Sequence, residues 1–328
     1  MTKALRFYLQ GNSSTQINLS KSLLQRGWES SRFAWQADFN HKHLDFNEEA
    51  AQCLEFKHSL AKLVHQNCPQ CMMTTYDIND DNWPEIVHQL AKEYYQNHDE
   101  QANLQWILKP SLLNNGQHIR IFQRLSDIER HFSQHNRLGG EHVLQRYINK
   151  PQLLRDDRKY SIRLFMVLTN YTGAFLYHQG YFNVALHPYT AADFNDLRPH
   201  LTNEHLSHEE ANVIQIPANR FAHFSELFSQ ITILTRDVVN ALRLHYPEAF
   251  RDDKRRQFAL FGVDAMVDST GRAWLLEFNH GPCFPVDENH PLQKHVYNDF
   301  WKEVVDNFVI PIGRQIPDYP VNENFVAL

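Results

Sequence analysis

Residues 261–279 read Phe261-Gly262-Val263-Asp264-Ala265-Met266-Val267-Asp268-Ser269-Thr270-Gly271-Arg272-Ala273-Trp274-Leu275-Leu276-Glu277-Phe278-Asn279, two apolar runs around a tight polar turn. Such a pattern predicts a hairpin of strands Phe258 to Val267 and Ala273 to Asn279. Residues two apart on a strand share a face, so Glu277 and Asn279 point the same way. With a four-residue loop, Asp264 falls opposite Glu277, about 5 Å away at Cβ. Facing like charges destabilise a sheet unless something neutralises them. Two carboxylates and an amide oxygen on one face are the hard oxygen donors that Mg²⁺ prefers. The plain alternative is a solvated outer face.

Working outward, Tyr160 to Leu168 reads as a strand with Lys159, Ser161 and Arg163 on one face and Tyr160, Ile162 and Leu164 on the other. Arg offers a bidentate fork and Lys a point charge to a phosphate or carboxylate, unless this is simply a basic surface strand. Trp106-Ile107-Leu108 is a short buried strand ending in Lys109-Pro110. The polar loop Ser111 to His118 follows, where backbone amides can help a lysine hold phosphates. Together these cations and the acidic hairpin describe a Mg²⁺-nucleotide site. Neither the Walker A pattern nor G-x-G-x-x-G occurs, so the site needs no glycine-rich phosphate loop.

The remaining chain reads as mixed strands and helices. Leu5 to Leu9, His142 to Ile148 and Ala174 to Phe182 are expected strands. Leu19 to Trp28, Glu48 to Gln66, Pro84 to Gln96, Phe224 to Leu244 and Leu292 to Val309 are expected helices. Ser126-Asp127-Ile128-Glu129 reads as a capping box opening another helix. The stripe Val296, Tyr297, Phe300, Trp301, Val304, Val305, Phe308 is core. The polar stretch Pro188 to Asn219 is long for a connection, which suggests function.

Composition sets the frame. A 42 % apolar and 12 % aromatic share of 328 residues supports a sizeable core and excludes wholesale disorder. A net charge of −6 argues against nucleic acid as the main partner. No apolar run approaches the roughly 18 residues of a membrane span, and the start lacks a signal-peptide apolar block. Four cysteines are too few for a disulfide scaffold, and Cys68-Pro69-Gln70-Cys71 has no second metal-binding pair, so all read as ordinary thiols. These features point to a cytoplasmic protein.

On these motifs the chain resembles the tubulin–tyrosine ligase family of ATP-grasp ligases. Lys57 to Leu63 is similar to the family's first lysine segment, and Trp106-Ile107-Leu108-Lys109-Pro110-Ser111 to W-I-x-K-P-S. Gln145-Arg146-Tyr147-Ile148 resembles Q-K-Y-I, and Lys159-Tyr160-Ser161-Ile162-Arg163 resembles K-F-D-I-R. His200-Leu201-Thr202-Asn203 repeats H-L-T-N, and residues 261–264 and 275–279 are close to F-G-F-D and L-I-E-V-N. The resemblance implies a mixed α/β ATP-grasp fold with nucleotide between two α/β lobes, residues 56–148 and 149–328, after a small N-terminal α/β domain at 1–55.

It further implies an adenine hinge at Gln145, Arg146, Tyr147 and Ile148, with phosphates held by Lys57, Lys109 and Lys159 and the nucleotide face completed by Ser161 and Thr202. Asp264, Glu277 and Asn279 would coordinate Mg²⁺, with Arg163, Asn203 and Glu277 as the catalytic residues. The implied chemistry joins a free amino acid to a carboxylate of a protein or peptide through an acylphosphate, using ATP. Departures are Ser161 for an aspartate, Asn183 for an arginine in Y-x-E-G-x-x-R, and His118 for a second glycine. The alternatives are a nucleotide-binding interaction protein without turnover, and a small-molecule ATP-grasp ligase. The amino acid, the acceptor and the oligomeric state are left open.

Overall fold

The computed structural model describes residues 4–96, 105–206, 211–252 and 255–328. Its elements, in chain order, are β1 (Arg6–Tyr8), α1 (Ser14–Gln25), β2 (Glu29–Ser30), β3 (Phe39–Asn40), α2 (Glu48–Glu55), α3 (Lys57–Asn67), β4 (Thr75–Ile78), α4 (Trp83–Gln96), β5 (Trp106–Pro110), β6 (Arg120–Phe122), α5 (Leu125–Phe132) and β7 (His142–Arg146). Then come β8 (Arg158–Thr169), β9 (Ala174–Pro188), β10 (Val213–Pro217), α6 (Phe224–His245), β11 (Phe258–Val267), β12 (Ala273–His280), α7 (Asn298–Val304), α8 (Ile310–Gly313) and β13 (Phe325–Ala327). The architecture is mixed α/β.

Three sheets organise these elements: a small parallel one ordered β2-β1-β3, a four-stranded one ordered β4-β7-β5-β6, and a large one ordered β10-β9-β8-β11-β12 with β13 beside β9. The four-stranded and large sheets are antiparallel throughout. One face of the large sheet, with Tyr160, Ile162, Leu164, Met166 and Leu168, packs on Leu54, Leu60, Leu63, Ile231 and Val238 of α2, α3 and α6. Its other face divides in two. Phe165 and Val167 meet Phe300, Val304 and Phe308 of the C-terminal helices, and Phe7, Leu19 and Phe39 of the N-terminal sheet join the same core. The half carrying Lys159, Ser161 and Arg163 is left to line a cavity.

The four-stranded sheet closes that cavity. Ile107 and Tyr147 pack with Phe194 and Leu201, so the strap at residues 189–206 ties the two sheets together. The strap is part of the long polar stretch at Pro188 to Asn219, which also forms β10; its residues 207–210 lie outside those described.

Several expected boundaries move. The helix expected over Glu48 to Gln66 breaks at Phe56, whose φ of −78° and ψ of 118° are extended, and two helices result. Ser126 does not cap α5: that helix already begins at Leu125, with Arg124 at its N-cap, so Ser126 lies inside the first turn. The helix expected from Leu19 starts five residues earlier, because Ser13 accepts a hydrogen bond from the Gln16 amide, and ends at Gln25 before Gly27 (φ 78°). Strand β9 runs past Phe182 to Pro188 because β10 pairs with Tyr181 to Ala185. The final apolar stripe is buried as expected, but wide i→i+5 turns at 293–297 and 305–309 interrupt the helix.

Candidate active site

The acidic hairpin forms in the expected register, with Asp264 opposite Glu277. A bulge then follows: Ala265 pairs with Leu275, leaving Leu276 as the extra residue on β12. The extra residue breaks strict alternation. Leu276 therefore lines the cavity beside Glu277 and Asn279. Arg163 of β8 pairs with Asp264 from the other side. Its Nε donates to Asp264 Oδ1 at 2.6 Å and Nη2 to Oδ2 at 2.8 Å, a bidentate fork. Gly262 makes room for it, since a Cβ there would meet the Arg163 guanidinium at 3.1 Å.

Burial pushes the Glu277 carboxyl up, but Lys57, Lys109 and Arg163 together hold it down at about 2. Burial raises Asp264, and the neighbouring Glu277 charge adds to that against the pull of Arg163. Asn279 Nδ2 donates to Asp264 Oδ2 at 2.9 Å and to Glu277 Oε1 at 3.4 Å, leaving its amide oxygen as the third donor to a cation. Among the described residues no cluster of three or more His, Cys, Asp or Glu forms, so this set is two acids completed by an amide. Adjacent acids of this kind fit a hard divalent cation.

The cations converge from three elements. The break at Phe56 places Lys57 first in α3, where its Nζ donates to Leu113 O at 3.2 Å and lies 3.6 Å from Glu277 Oε2. Lys109, at the end of β5, donates to Gln145 Oε1 at 2.9 Å, and burial lowers it to about 8. Lys159 is 1 % exposed and forms no ion pair among the described residues. Its Nζ donates to Tyr147 Oη and His200 O, each at 2.9 Å, and lies 4.4 Å from the Tyr147 ring centre. Burial, and then Lys109, bring it down to about 7. A buried cation without a counter-ion is costly. An anion such as a phosphate fits the place it leaves open.

The cavity encloses about 320 Å³. All of Lys57, Lys109, Gln145, Arg146, Tyr147, Ile148, Lys159, Ser161, Arg163, Thr202, Asn203, Asp264, Glu277 and Asn279 line it. Gln145 is used at both ends, its Nε2 donating to Thr75 Oγ1, so it holds Lys109 rather than offering a free side chain. Thr202 Oγ1 donates to Ser161 Oγ at 2.8 Å. Ile107, Met266 and Leu276 add apolar wall beside Tyr147 and Ile148, suited to a flat base. Sequence reasoning passed over these three, together with Tyr181 and Gln215. Tyr181 was within reach, since it lies two residues from Asn183 on one strand face.

The loop at 111–119 keeps an unusual backbone. Asn115, Gly116 and His118 have φ of 55°, 71° and 56°, so histidine adopts the left-handed conformation that glycine takes freely.

Residues 45–317 match the model of the tubulin–tyrosine ligase family. A probable tubulin–tyrosine ligase of Saccharomyces cerevisiae is 26 % identical over 312 residues, covering 77 % of this chain and 39 % of that protein. A tubulin glycylase of Tetrahymena thermophila is 24 % identical over 256 residues, covering 70 % and 24 %. A probable β-tubulin polyglutamylase from the same organism is 26 % identical over 243 residues, covering 63 % and 19 %. The chain thus spans well under half the length of these relatives.

Proposed function

This chain belongs to the tubulin–tyrosine ligase family, and we propose that it is a cytoplasmic ATP- and Mg²⁺-dependent ligase joining a free amino acid to a carboxylate of a protein or peptide. The observation that carries this reading is the convergence of buried lysines, the Arg163–Asp264 fork and the Asp264–Glu277 pair on one cavity. Among the described residues no helix is long and apolar enough to cross a membrane.

In this reading the fold is of the ATP-grasp kind, with an N-terminal domain at 1–55 and the nucleotide between lobes 56–148 and 149–328. Gln145, Arg146, Tyr147 and Ile148 would edge the base, and Ile107, Met266 and Leu276 would cover its faces. Lys57, Lys109 and Lys159 would hold phosphates, with Thr202 beneath them and Ser161 at the border of the nucleotide site, on the side of its partner Asn183. Asp264, Glu277 and Asn279 would hold Mg²⁺. When bound, Mg²⁺-ATP would supply the phosphoryl group for the acceptor carboxylate, releasing ADP and leaving an acylphosphate from which an amine would displace phosphate, losing a proton, to form the amide. Arg163 and Asn203 would face that phosphoryl group and stabilise its charge. The strap at 189–206 would keep water away from the activated carboxylate.

The test is transfer of labelled amino acids into lysate proteins with Mg²⁺-ATP, comparing wild type with Glu277→Gln and locating label by mass spectrometry. Label that needs both ATP and Glu277 supports a protein-modifying ligase. Nucleotide binding without label in any protein or short peptide would replace it with an interaction protein of the same fold. The neutral Ser161 and Asn183 are what favour that second reading. Consumption of ATP driven by amino acids or peptides alone would point to a small-molecule ligase.

A further inference from the structure

The cavity floor carries two rows of side chains across the large sheet. One, Tyr181–Arg163–Asp264–Glu277, contains the charges discussed above. The other runs Gln215–Asn183–Ser161, each residue opposite the next across β10, β9 and β8. It holds no charge. All three residues line the cavity, and Asn183 and Ser161 are 7 % and 4 % exposed. We propose that Gln215, Asn183 and Ser161 form a recognition row that takes an amide group of the substrate and rejects a carboxylate. The assignment rests on the ligase reading and names the substrate chemistry of that site.

Donors and acceptors decide the fit. Gln215 Nε2 donates to Asn183 Oδ1 at 3.2 Å, and Thr202 Oγ1 donates to Ser161 Oγ at 2.8 Å. Those bonds leave the Asn183 Nδ2 and the Ser161 hydroxyl hydrogen as donors, and Gln215 Oε1 as an acceptor. A docked amide satisfies both kinds: its oxygen accepts from Asn183 and Ser161, and its N–H donates to Gln215. A carboxylate only accepts, so it would press negative charge on the Gln215 oxygen with no cation in the row to offset it. The neighbouring Arg163 lies in the other row, and the Asp264 carboxylate it grips already matches its charge, leaving its remaining N–H groups to the phosphoryl side of the cavity.

The row also explains the two departures from the motifs the chain resembles. Ser161 and Asn183 stand where those motifs have an aspartate and an arginine, and here they are directly opposite one another. The two departures are therefore one: an acid and a base on facing strands replaced together by a neutral pair, with net charge unchanged. Restoring the arginine alone would bury a cation without its acid.

An amide could come from the side chain of a free amino acid or from a peptide backbone, and calorimetry separates the two. The protein, saturated with Mg²⁺ and β,γ-imido-ATP, is titrated with L-glutamine, L-glutamate, L-asparagine, L-aspartate and triglycine. We expect L-glutamine or L-asparagine to bind about tenfold or more tightly than its isosteric acid, or triglycine to bind where the acids do not. The first result assigns a side-chain amide and the second a backbone amide. Asn183→Leu should erase the preference, and Gln215→Leu should do the same if the first variant melts early. Equal or tighter binding of the acids would overturn the proposal, as would a preference that survives both variants. Failure of all five probes to bind nucleotide-loaded protein would also overturn it, leaving the ligase reading in place. Failure of β,γ-imido-ATP itself to bind would remove that reading and this one with it.

Discussion

At the scale of single residues, Lys159 is the sharpest electrostatic feature. Its ammonium is lowered from 10.5 to about 7 by burial and by Lys109. Between those values the unfolded chain binds the extra proton and the folded one does not, so stability rises with pH across that window. Below about 7 both states are protonated and the burial penalty is complete. We expect ligand-free Lys159→Met to melt above wild type at pH 7 and to lose most of that advantage by pH 10. An equal difference at both values would show that the Lys159 charge plays no part. Glu277→Gln should cut Mg²⁺-dependent turnover by about 100-fold and should also lower the melting temperature at pH 7, since Lys57, Lys109 and Arg163 hold the native carboxyl ionised at about 2. Full activity in that variant would sink the metal assignment. The residues read from the sequence as a site do share one cavity. Lys159, Ser161, Arg163, Glu277 and Asn279 were legible because they sit two apart on strands, where the face follows from alternation, whereas Lys57, residues 145–148, Thr202 and Asn203 came only from the family resemblance. Leu276 was hidden because the β12 bulge breaks that alternation.

Among elements, strand pairs were easier to read than helix boundaries. The β11–β12 register follows from a short turn. By contrast, an unbroken apolar pattern over 48–66 conceals the extended Phe56 that splits α2 from α3. No local signal marks it; α2 lies beside β12 of the large sheet and α3 beside β4 of the four-stranded sheet, and the bend falls between those two packings. Without that break Lys57 would not open a helix at the cavity. Gly180 marks a second constraint. A Cβ at this position would lie 2.1 Å from the Arg163 carbonyl oxygen, where β8 and β9 change register. Backbone cannot give way as a side-chain tip does, so Gly180→Ala should destabilise by about 3 kcal/mol. Thermal denaturation checks this; an unchanged melting temperature would mean the strands separate freely there.

Across the whole molecule, the packing couples parts that look separate in sequence. Phe300 is fully buried among Phe165, Tyr177 and Phe284, in the core that the N-terminal sheet shares. Phe300→Ala should cost about 4 kcal/mol and lower the unfolding of residues 4–44 together with that of the large sheet. Hydrogen exchange read by segment tests this; early loss of one part alone would show that the two unfold independently. The strap makes a second coupling. Phe194 stacks on His200 at 4.6 Å, His200 bonds Tyr147, and the His200 carbonyl holds Lys159. None of this was legible beforehand, because it depends on contacts between distant stretches of chain. The buried Lys159 ammonium has a phenol and a carbonyl as its hydrogen-bond partners, so an anion bound beside it would stabilise the fold as well as the site. Ligand at about 100 times its dissociation constant would add about 2.7 kcal/mol to the fold. In the proposed reading that ligand is Mg²⁺-nucleotide, so resistance of the purified protein to proteolysis should rise with added nucleotide.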